Sequence, residues 1–319
     1  MSPRLAFVLR RLLLTLPVLW VMSVFVFLII RLVPGDPVRT MLGFRATDAN
    51  VAVVRHRLGL DQPLLQQYAH FLSGLVHGDL GQDLVSRAPL SELLAHRLPV
   101  TLELTGLSML LAVAVGVPLG VRAAVGGRWT QRLTHGFVVL GISIPDFWLG
   151  IMLVLLFAGT LGILPPSGYL PFSEDPVQNL RYLTLPVLTL ATAEAAYLLR
   201  TTRGALEAAL DRPYVTFLRA KGLSNRRIVG GHALRNAAPT IVTVIGIQVG
   251  VLLGGAIVVE TLFALPGVGR LVVTAVNQRN YPTVQAGVLV IATLFIVVSL
   301  ITDLVVGFLD PRVSDGAGT

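Results

Sequence analysis

Residues 12–30 read LLLTLPVLWVMSVFVFLII, a run without a charged side chain. A helix needs about 20 apolar residues to cross the hydrocarbon core of a bilayer, so this run has the length of one membrane span. Arg4, Arg10 and Arg11 precede it, as basic residues precede a secretory signal. The run is longer than the apolar core of a signal, however, and no cleavage site of small residues follows it. We therefore expect an uncleaved first transmembrane helix.

Further apolar stretches of similar length follow along the chain. Of the 319 residues, 54% are hydrophobic and only 13% are charged, whereas soluble domains carry about 25% charged residues. With the first run, the predicted spans are 12–30, 100–121, 137–161, 182–199, 240–259 and 283–308. The fourth is the shortest and contains Glu194. The sequence thus predicts an all-α membrane protein with about six transmembrane helices.

The basic residues between the spans predict the orientation of the chain. Segments 1–11, 126–135, 200–238 and 309–319 together hold fourteen arginine and lysine residues, whereas 162–180 holds none and 261–282 holds two. Cytoplasmic loops carry such an excess, so we expect both termini in the cytoplasm. Loops of this kind also explain the net charge of +8, and a nucleic-acid partner is not expected.

Four parts of the chain follow from this arrangement: an N-terminal tail with the first span (1–30), an external segment (31–99), a membrane core (100–308) and a cytoplasmic tail (309–319). The external segment is expected to form short helices. Within the core, the cytoplasmic segment 200–238 is expected to form two short amphipathic helices. Pro213 favours the start of a helix because proline is tolerated in a first turn, and Gly222 interrupts the pattern.

Several kinds of chemistry are excluded by composition. Lys221 is the only lysine and is followed by Gly222, so the chain lacks the Gly-Lys-Ser/Thr of a phosphate-binding loop. It has no cysteine to ligate a metal. The six histidines form no metal-binding pattern; His70 and His77 are interpreted as solvated loop residues rather than a metal pair. We expect no catalytic residue and no metal site in this chain.

Ionisable residues at membrane depth are the main candidates for a functional site, because such groups are costly there. Glu194 and Asp146 are predicted at that depth, and Ser143 lies close to Asp146 in the sequence. We predict that these three line a polar pathway. The alternative for Glu194 is a structural pair with Arg200, a neighbouring helix or a partner subunit.

Glycines recur every four residues on the fifth predicted span, at Gly246, Gly250 and Gly254. Small residues at this spacing let two helices approach closely. The pattern is compatible with a subunit interface and with packing inside the chain.

Residues 214–224, YVTFLRAKGLS, and 232–239, HALRNAAP, together resemble the cytoplasmic coupling loop of binding-protein-dependent ABC importer permeases of the dipeptide, oligopeptide and nickel branch. Other motifs similar to that family follow in its order: RR at 10–11, PGDP at 34–37, LGLDQPL at 58–64, GDLG at 78–81, PVTLEL at 99–104, PDFW at 145–148, PGVGR at 266–270, YPTVQ at 281–285 and DPR at 310–312. The chain departs from the family pattern in lacking the literal Glu-Ala-Ala of the coupling loop, and in having Leu265 and Asn280 where tryptophan and aspartate are usual.

The resemblance implies a type I ABC importer permease in a bacterial inner membrane. Its partners would be a second homologous permease, two ABC ATPases that bind ATP and magnesium, an extracytoplasmic solute-binding protein and membrane lipid. It implies that the ATPase-coupling residues are Phe217, Leu218, Arg219, Ala220, Lys221, Gly222 and Leu223. It also places binding-protein docking and an external gate at Pro266, Gly267, Gly269 and Arg270.

The transported solute and the energy source leave alternatives open. Peptides are the first expectation, and nickel or a metal chelate is the second. A secondary transporter driven by ions would instead need paired carboxylates at mid-membrane, for which Glu194 and Asp146 are the candidates.

Overall fold

The computed structural model describes residues 3–32, 38–39, 46–57 and 59–309. Its main helices are α1 (Pro3–Leu32), α2 (Asp48–Arg57), α3 (Leu64–Val76), α4 (Leu90–Val125), α5 (Arg128–Ser143), α6 (Asp146–Thr160), α7 (Pro176–Leu210), α8 (Pro213–Ala220), α9 (Asn225–Leu262), α10 (Val268–Asn277) and α11 (Tyr281–Leu309). Within those ranges, β-structure is limited to one bridge between Gln82 and Pro89. The motifs predicted at 34–37 and 310–312, and the tail after Leu309, lie outside the described residues.

Helices α1, α4, α7, α9 and α11 are long and apolar enough to cross a membrane, and α5 with α6 forms a broken pair that also qualifies. The prediction of about six spans is confirmed when this pair counts as one. Short helices α2 and α3 occupy the segment before α4, as expected for 31–99. Helix α4 begins at Leu90, ten residues before the predicted start of the second span.

The third predicted span, 137–161, is broken into two helices, because α5 and α6 meet at an angle of 101°. Pro145 has no amide hydrogen and disfavours helical geometry in the residue before it. Ile144 accordingly adopts an extended conformation, with φ −83° and ψ 121°. The helix resumes at Asp146 after the proline. The proline therefore breaks this segment into two helices.

The fourth span is longer than its predicted 182–199. Helix α7 starts at Pro176, where the Asp175 carboxylate accepts hydrogen bonds of 3.0 Å from the amides of Val177 and Gln178. It continues to Leu210, so the first of the two short cytoplasmic helices predicted in 200–238 is wrong: residues 200–210 extend α7. The second is confirmed, since α8 begins at Pro213.

The chain divides into two compact units. The first comprises Glu103–Leu265 with the parts of α1 up to Leu12 and of α11 from Val297. Helix α7 is central to this unit and packs against α5, α6 and α9. Gly116 and Gly120 on α4 bring that helix against α7: a Cβ at Gly116 would lie 2.6 Å from the carbonyl oxygen of Ala195.

The glycines of α9 differ in how closely other atoms surround them. A Cβ at Gly246 would overlap the Thr302 side chain of α11, so packing inside the chain explains this glycine. A Cβ at Gly254 would meet no atom within 4 Å, and a subunit interface stays a prediction there.

The second unit comprises Leu13–Leu102 and Pro266–Ile296. Phe27 of α1 contacts Tyr68 and Phe71 of α3, with ring centroids 5.2 and 5.7 Å apart respectively. A separate apolar cluster joins the start of α4 to α10 and α11, and consists of Leu90, Leu94, Val268, Val272 and Ala286. The external segment is thus anchored to helices at both ends of the sequence.

Candidate functional site

Helix α8 ends in a tight, fully hydrogen-bonded turn. The Gly222 amide donates to Arg219 O at 2.9 Å, and the Leu223 amide donates to Leu218 O at 3.2 Å. With Gly222 at φ +80°, these two bonds form a Schellman motif, which is a usual reason for glycine just beyond a helix end. The motif also pairs Leu218 with Leu223, and both are half-buried. The turn therefore fixes the direction in which the chain leaves α8.

Helix α8 has one buried face, which anchors it, and one exposed face. Val215 is buried, and α8 packs against the π-helical segment Ile228–Ala233 at the start of α9. Phe217 is 59% exposed, and the Lys221 ammonium lies 4.6 Å from the centre of its ring. Arg219, Ala220 and Gly222 are also exposed. The seven predicted coupling residues thus lie on one helix and its closing turn, with the Phe217 ring beside the Lys221 ammonium.

The predicted pathway residues are only partly brought together. Glu194 on α7 is 6% exposed, and its Oε2 accepts a 2.7 Å hydrogen bond from Nε2 of Gln248 on α9, itself 8% exposed. Asp146 lies at the start of α6, a helix that packs against α7. Ser143 is exposed at the end of α5. Of the alternatives for Glu194, the neighbouring helix supplies its partner, whereas Arg200 stacks on the Tyr197 ring at 5.3 Å.

We expect Gln248→Leu to lower the free energy of unfolding by about 1.5–3 kcal/mol, because the buried Glu194 carboxyl loses its amide donor. Thermal denaturation of the purified protein in detergent measures the loss. In the double variant Glu194→Leu/Gln248→Leu both polar groups are gone, so part of the stability should return. Equal losses in the single and double variants would show that the hydrogen bond is not the cause.

The predicted docking residues at 266–270 are less accessible to solvent than the residues of an exposed loop would be. Gly267 and Gly269 are buried and Pro266 and Arg270 are half-buried. The amide of Val268, the first residue of α10, donates a 2.9 Å hydrogen bond to Thr101 Oγ1 on α4. A docking protein would therefore meet Pro266 and Arg270 rather than the two buried glycines.

A second feature, in the segment 31–99, is the buried carboxylate of Asp83. Its Oδ1 accepts hydrogen bonds from the amide and hydroxyl of Ser86, at 2.6 and 2.9 Å, and its Oδ2 accepts from Asn280 Nδ2 and, at 2.7 Å, from Thr283 Oγ1. Burial opposes ionisation, but these bonds outweigh it and lower the pKa of Asp83 below its ordinary value. The amide of Asn280 suits this contact, since an aspartate there would place two carboxylates face to face.

Asp83→Ala is expected to expose the adjacent turn to trypsin, with cleavage after Arg87 accelerated roughly tenfold or more, because proteolysis follows the population of the open form. Asp79→Ala is the matched control, since the exposed Asp79 carboxylate receives a bond only from the nearby Gly81 amide among the contacts described. The lowered pKa of Asp83 means that its stabilising effect is complete above about pH 4 and is lost as pH falls further. A rate for Asp83→Ala equal to that of the control at neutral pH would contradict this role.

Two family models cover nearly the whole chain. The model for the binding-protein-dependent transport system inner membrane component matches residues 116–315, and the model for the N-terminal part of such membrane components matches residues 4–105. The chain belongs to the binding-protein-dependent transport permease family. This permease is therefore a multi-pass subunit of an ABC importer in the inner membrane. Its family works with ATPase subunits, which hydrolyse ATP, and with a substrate-binding protein.

Individual relatives place the permease more closely. It is 42% identical over 310 residues to the glutathione transport system permease protein of Escherichia coli strain K12, covering 97% of this chain and 99% of the relative. It is 38% identical over 309 residues to a permease protein of a peptide transport system in Brucella abortus strain 2308, covering 97% and 98%. The permease thus matches subunits of two bacterial transport systems along nearly their full lengths.

Solved structures of the MetNI methionine ABC transporter, in inward-facing conformations, share the fold. One matches with a TM-score of 0.57 at 19% identity and another with 0.53 at 20%, each covering 68% of this chain and 96% of the matched chain. The type I importer permease architecture is thereby confirmed.

Sequence reasoning missed several residues of this permease. Gln248 is the only side-chain amide in the predicted span 240–259, which was a signal that Glu194 had a partner. The spacing Gly116-x-x-x-Gly120 matches the pattern noted on α9 and marks the close approach of α4 to α7. Asp83 gave no such signal, because its partners Asn280 and Thr283 lie about 200 positions later.

Proposed function

We propose that the permease forms one half of a translocation pathway for short peptides, with a second homologous permease as the other half. Two ABC ATPases on the cytoplasmic side would bind ATP and magnesium, and this chain would need no cofactor of its own. A solute-binding protein would deliver the peptide from outside. In this arrangement the N- and C-termini are cytoplasmic.

The observation that carries the coupling role is the exposed face of α8. An apolar ring beside the Lys221 ammonium, on a helix whose buried side is anchored by Val215, matches the helix-in-groove mode of docking. The Schellman turn at Gly222 keeps that face in a fixed orientation. Movement imposed on α8 by an ATPase would then be passed to the helices joined to it.

Peptides are the favoured substrate because the two relatives quoted are named for peptide and glutathione transport and match the permease over nearly its full length. The polar groups at Glu194, Gln248 and Asp146 provide amide and carboxylate chemistry beside the pathway, with Ser143 at the nearby break. Selectivity would rest largely with the binding protein. Nickel or a metal chelate is the alternative solute for the same architecture.

The test is purification of the tagged permease with its partners, followed by uptake into proteoliposomes. We expect a second permease and two ATPases in the complex, and uptake of labelled di- and tripeptides or glutathione that requires ATP and the binding protein. Uptake of nickel chelates without uptake of peptides would show that a metal chelate, and not a peptide, is the substrate. Uptake without ATP that is abolished in Glu194→Ala would instead establish ion-coupled transport.

A further inference from the structure

A cavity of about 300 Å³ lies between α5 and α7, away from the exposed face of α8. Its lining combines cationic or polar side chains with apolar ones: Thr134, His135, Val138, Val139, Ile142, Ser143, Leu199, Arg200 and Arg203. The volume is at the lower end of the range for small-molecule sites. It suits a compact group rather than a long peptide.

The basic and the apolar side chains that line the cavity lie at different depths along the helix axes. On α5, His135 lies at the middle of the helix, and Ile142 lies seven residues nearer its end, about 10 Å along the axis. On α7, which runs the opposite way through the membrane in the orientation proposed above, Arg203 lies one turn beyond Leu199. The basic side chains thus lie toward the cytoplasmic ends of both helices, and the apolar ones lie deeper.

The donors at the basic end suit an anion. The Thr134 hydroxyl already donates to backbone carbonyls of its own helix. Arg203 Nε donates to Glu207 Oε1 at 2.8 Å, while the terminal nitrogens of a guanidinium carry further donors. Arg200 is held against Tyr197 by ring stacking. Two arginines and His135 beside a single carboxylate leave this end of the cavity cationic.

The surroundings of the cavity favour lipid as the source of that anion. Trp129 and Leu133 on α5 are 75% and 72% exposed, and the Arg132 guanidinium lies 5.5 Å from the centre of the Trp129 ring. Tryptophan concentrates at the membrane–water interface. This end of α5 is therefore at headgroup depth, in the leaflet where anionic lipids attract basic residues.

We propose that this cavity binds the phosphate headgroup of an anionic phospholipid of the cytoplasmic leaflet. Arg200, Arg203 and His135 would contact the phosphate, and an acyl chain would lie along Val139 and Ile142. The proposal rests on the orientation proposed above, but it does not depend on which solute is transported. The lipid would fill the groove between α5 and α7 and hold the two helices together.

The test is native mass spectrometry of the intact transporter complex in mild detergent, titrated with phosphatidylglycerol, phosphatidylcholine or inorganic phosphate. Wild type should retain phosphatidylglycerol, and Arg200→Gln/Arg203→Gln should weaken that binding roughly thirtyfold, since each basic residue contributes about a fivefold effect. Arg226→Gln/Arg227→Gln removes two exposed charges elsewhere and should leave binding unchanged.

Several results would overturn the proposal. Equal weakening in both double variants would reveal diffuse attraction without a site. Equal retention of phosphatidylcholine would exclude recognition of net charge, and displacement by inorganic phosphate at matched concentration would identify a free anion as the ligand. Absence of phosphatidylglycerol from the wild-type complex would mean that another subunit or the solute fills the cavity.

The orientation can be checked separately, because the natural chain has no cysteine. An impermeant maleimide should label Arg132→Cys in inverted membrane vesicles and not in right-side-out vesicles. Labelling from the outside would overturn the orientation, and with it the choice of leaflet. Transport activity is not a readout in any of these experiments, so a failure here is distinct from a failure of the peptide-transport proposal.

Discussion

Phe217→Asp is expected to abolish ATP-driven uptake, with a loss of roughly 100-fold or more. An exposed aromatic side chain that fills a partner's groove commonly contributes 2 kcal/mol or more to binding, about a thirtyfold effect. A carboxylate buried at the same place adds a desolvation cost. Uptake into proteoliposomes measures the loss of transport, and recovery of the ATPase with the tagged permease measures the loss of docking.

The design of this variant separates docking from folding. The Phe217 side chain is 59% exposed, and a new carboxylate there would stand one helical turn before Lys221, a favourable spacing for an ion pair. Helix α8 should therefore persist. Phe217→Leu is the matched control, because it keeps an apolar side chain and should retain most of the uptake. Normal uptake by Phe217→Asp would show that this face does not meet the ATPase.

Gly116→Ile is expected to prevent accumulation of folded permease. The first atom of any side chain at Gly116 would lie 2.6 Å from the Ala195 carbonyl oxygen and 3.0 Å from the Leu198 Cβ. Because the Ala195 carbonyl is part of the α7 backbone, relief requires the two helices to separate. Overpacking costs about 1–3 kcal/mol even where side chains can move, so we expect a loss of at least about 3 kcal/mol here.

The same helix provides the control for that substitution. Gly106 is exposed, and a Cβ there would meet no atom within 4 Å, so Gly106→Ile should accumulate at the wild-type level. Fluorescence-detected size-exclusion chromatography of detergent extracts compares the two variants. If both accumulate equally, the contact between α4 and α7 is more adaptable than the distances imply.

The membrane spans could be predicted from sequence because their apolar length is a local property. The start of α8 at Pro213 and its end near Gly222 were predictable for the same reason. The break between α5 and α6 was missed, since a proline in a span is compatible both with a mild kink and with a sharp bend. Neighbouring helices decide between these outcomes, and their positions are not local information.

The features that could not be predicted depend on contacts between residues that are far apart in the sequence. The sequence placed Glu194 at membrane depth but left its partner open, because the choice between Arg200, another helix and another subunit depends on packing. The docking prediction for Gly267 and Gly269 treated them as surface residues, whereas both are buried on either side of Val268, which contacts Thr101 and belongs to the apolar cluster around Leu90. Close packing and surface recognition both favour glycine, so composition alone could not distinguish these roles.

Helix α8 connects two long helices, α7 and α9, in the chain. Helix α8 follows α7 and precedes α9, and these two long helices carry Glu194 and Gln248 respectively. From Glu194 to the end of α7 at Leu210 is about 24 Å of helix. A pull on α8 would therefore be divided between two long helices that pack against each other and share one buried side-chain hydrogen bond. A displacement of α8 by a few ångströms would reach the middle of the membrane only if this hydrogen bond, together with the packing around it, shifted or broke.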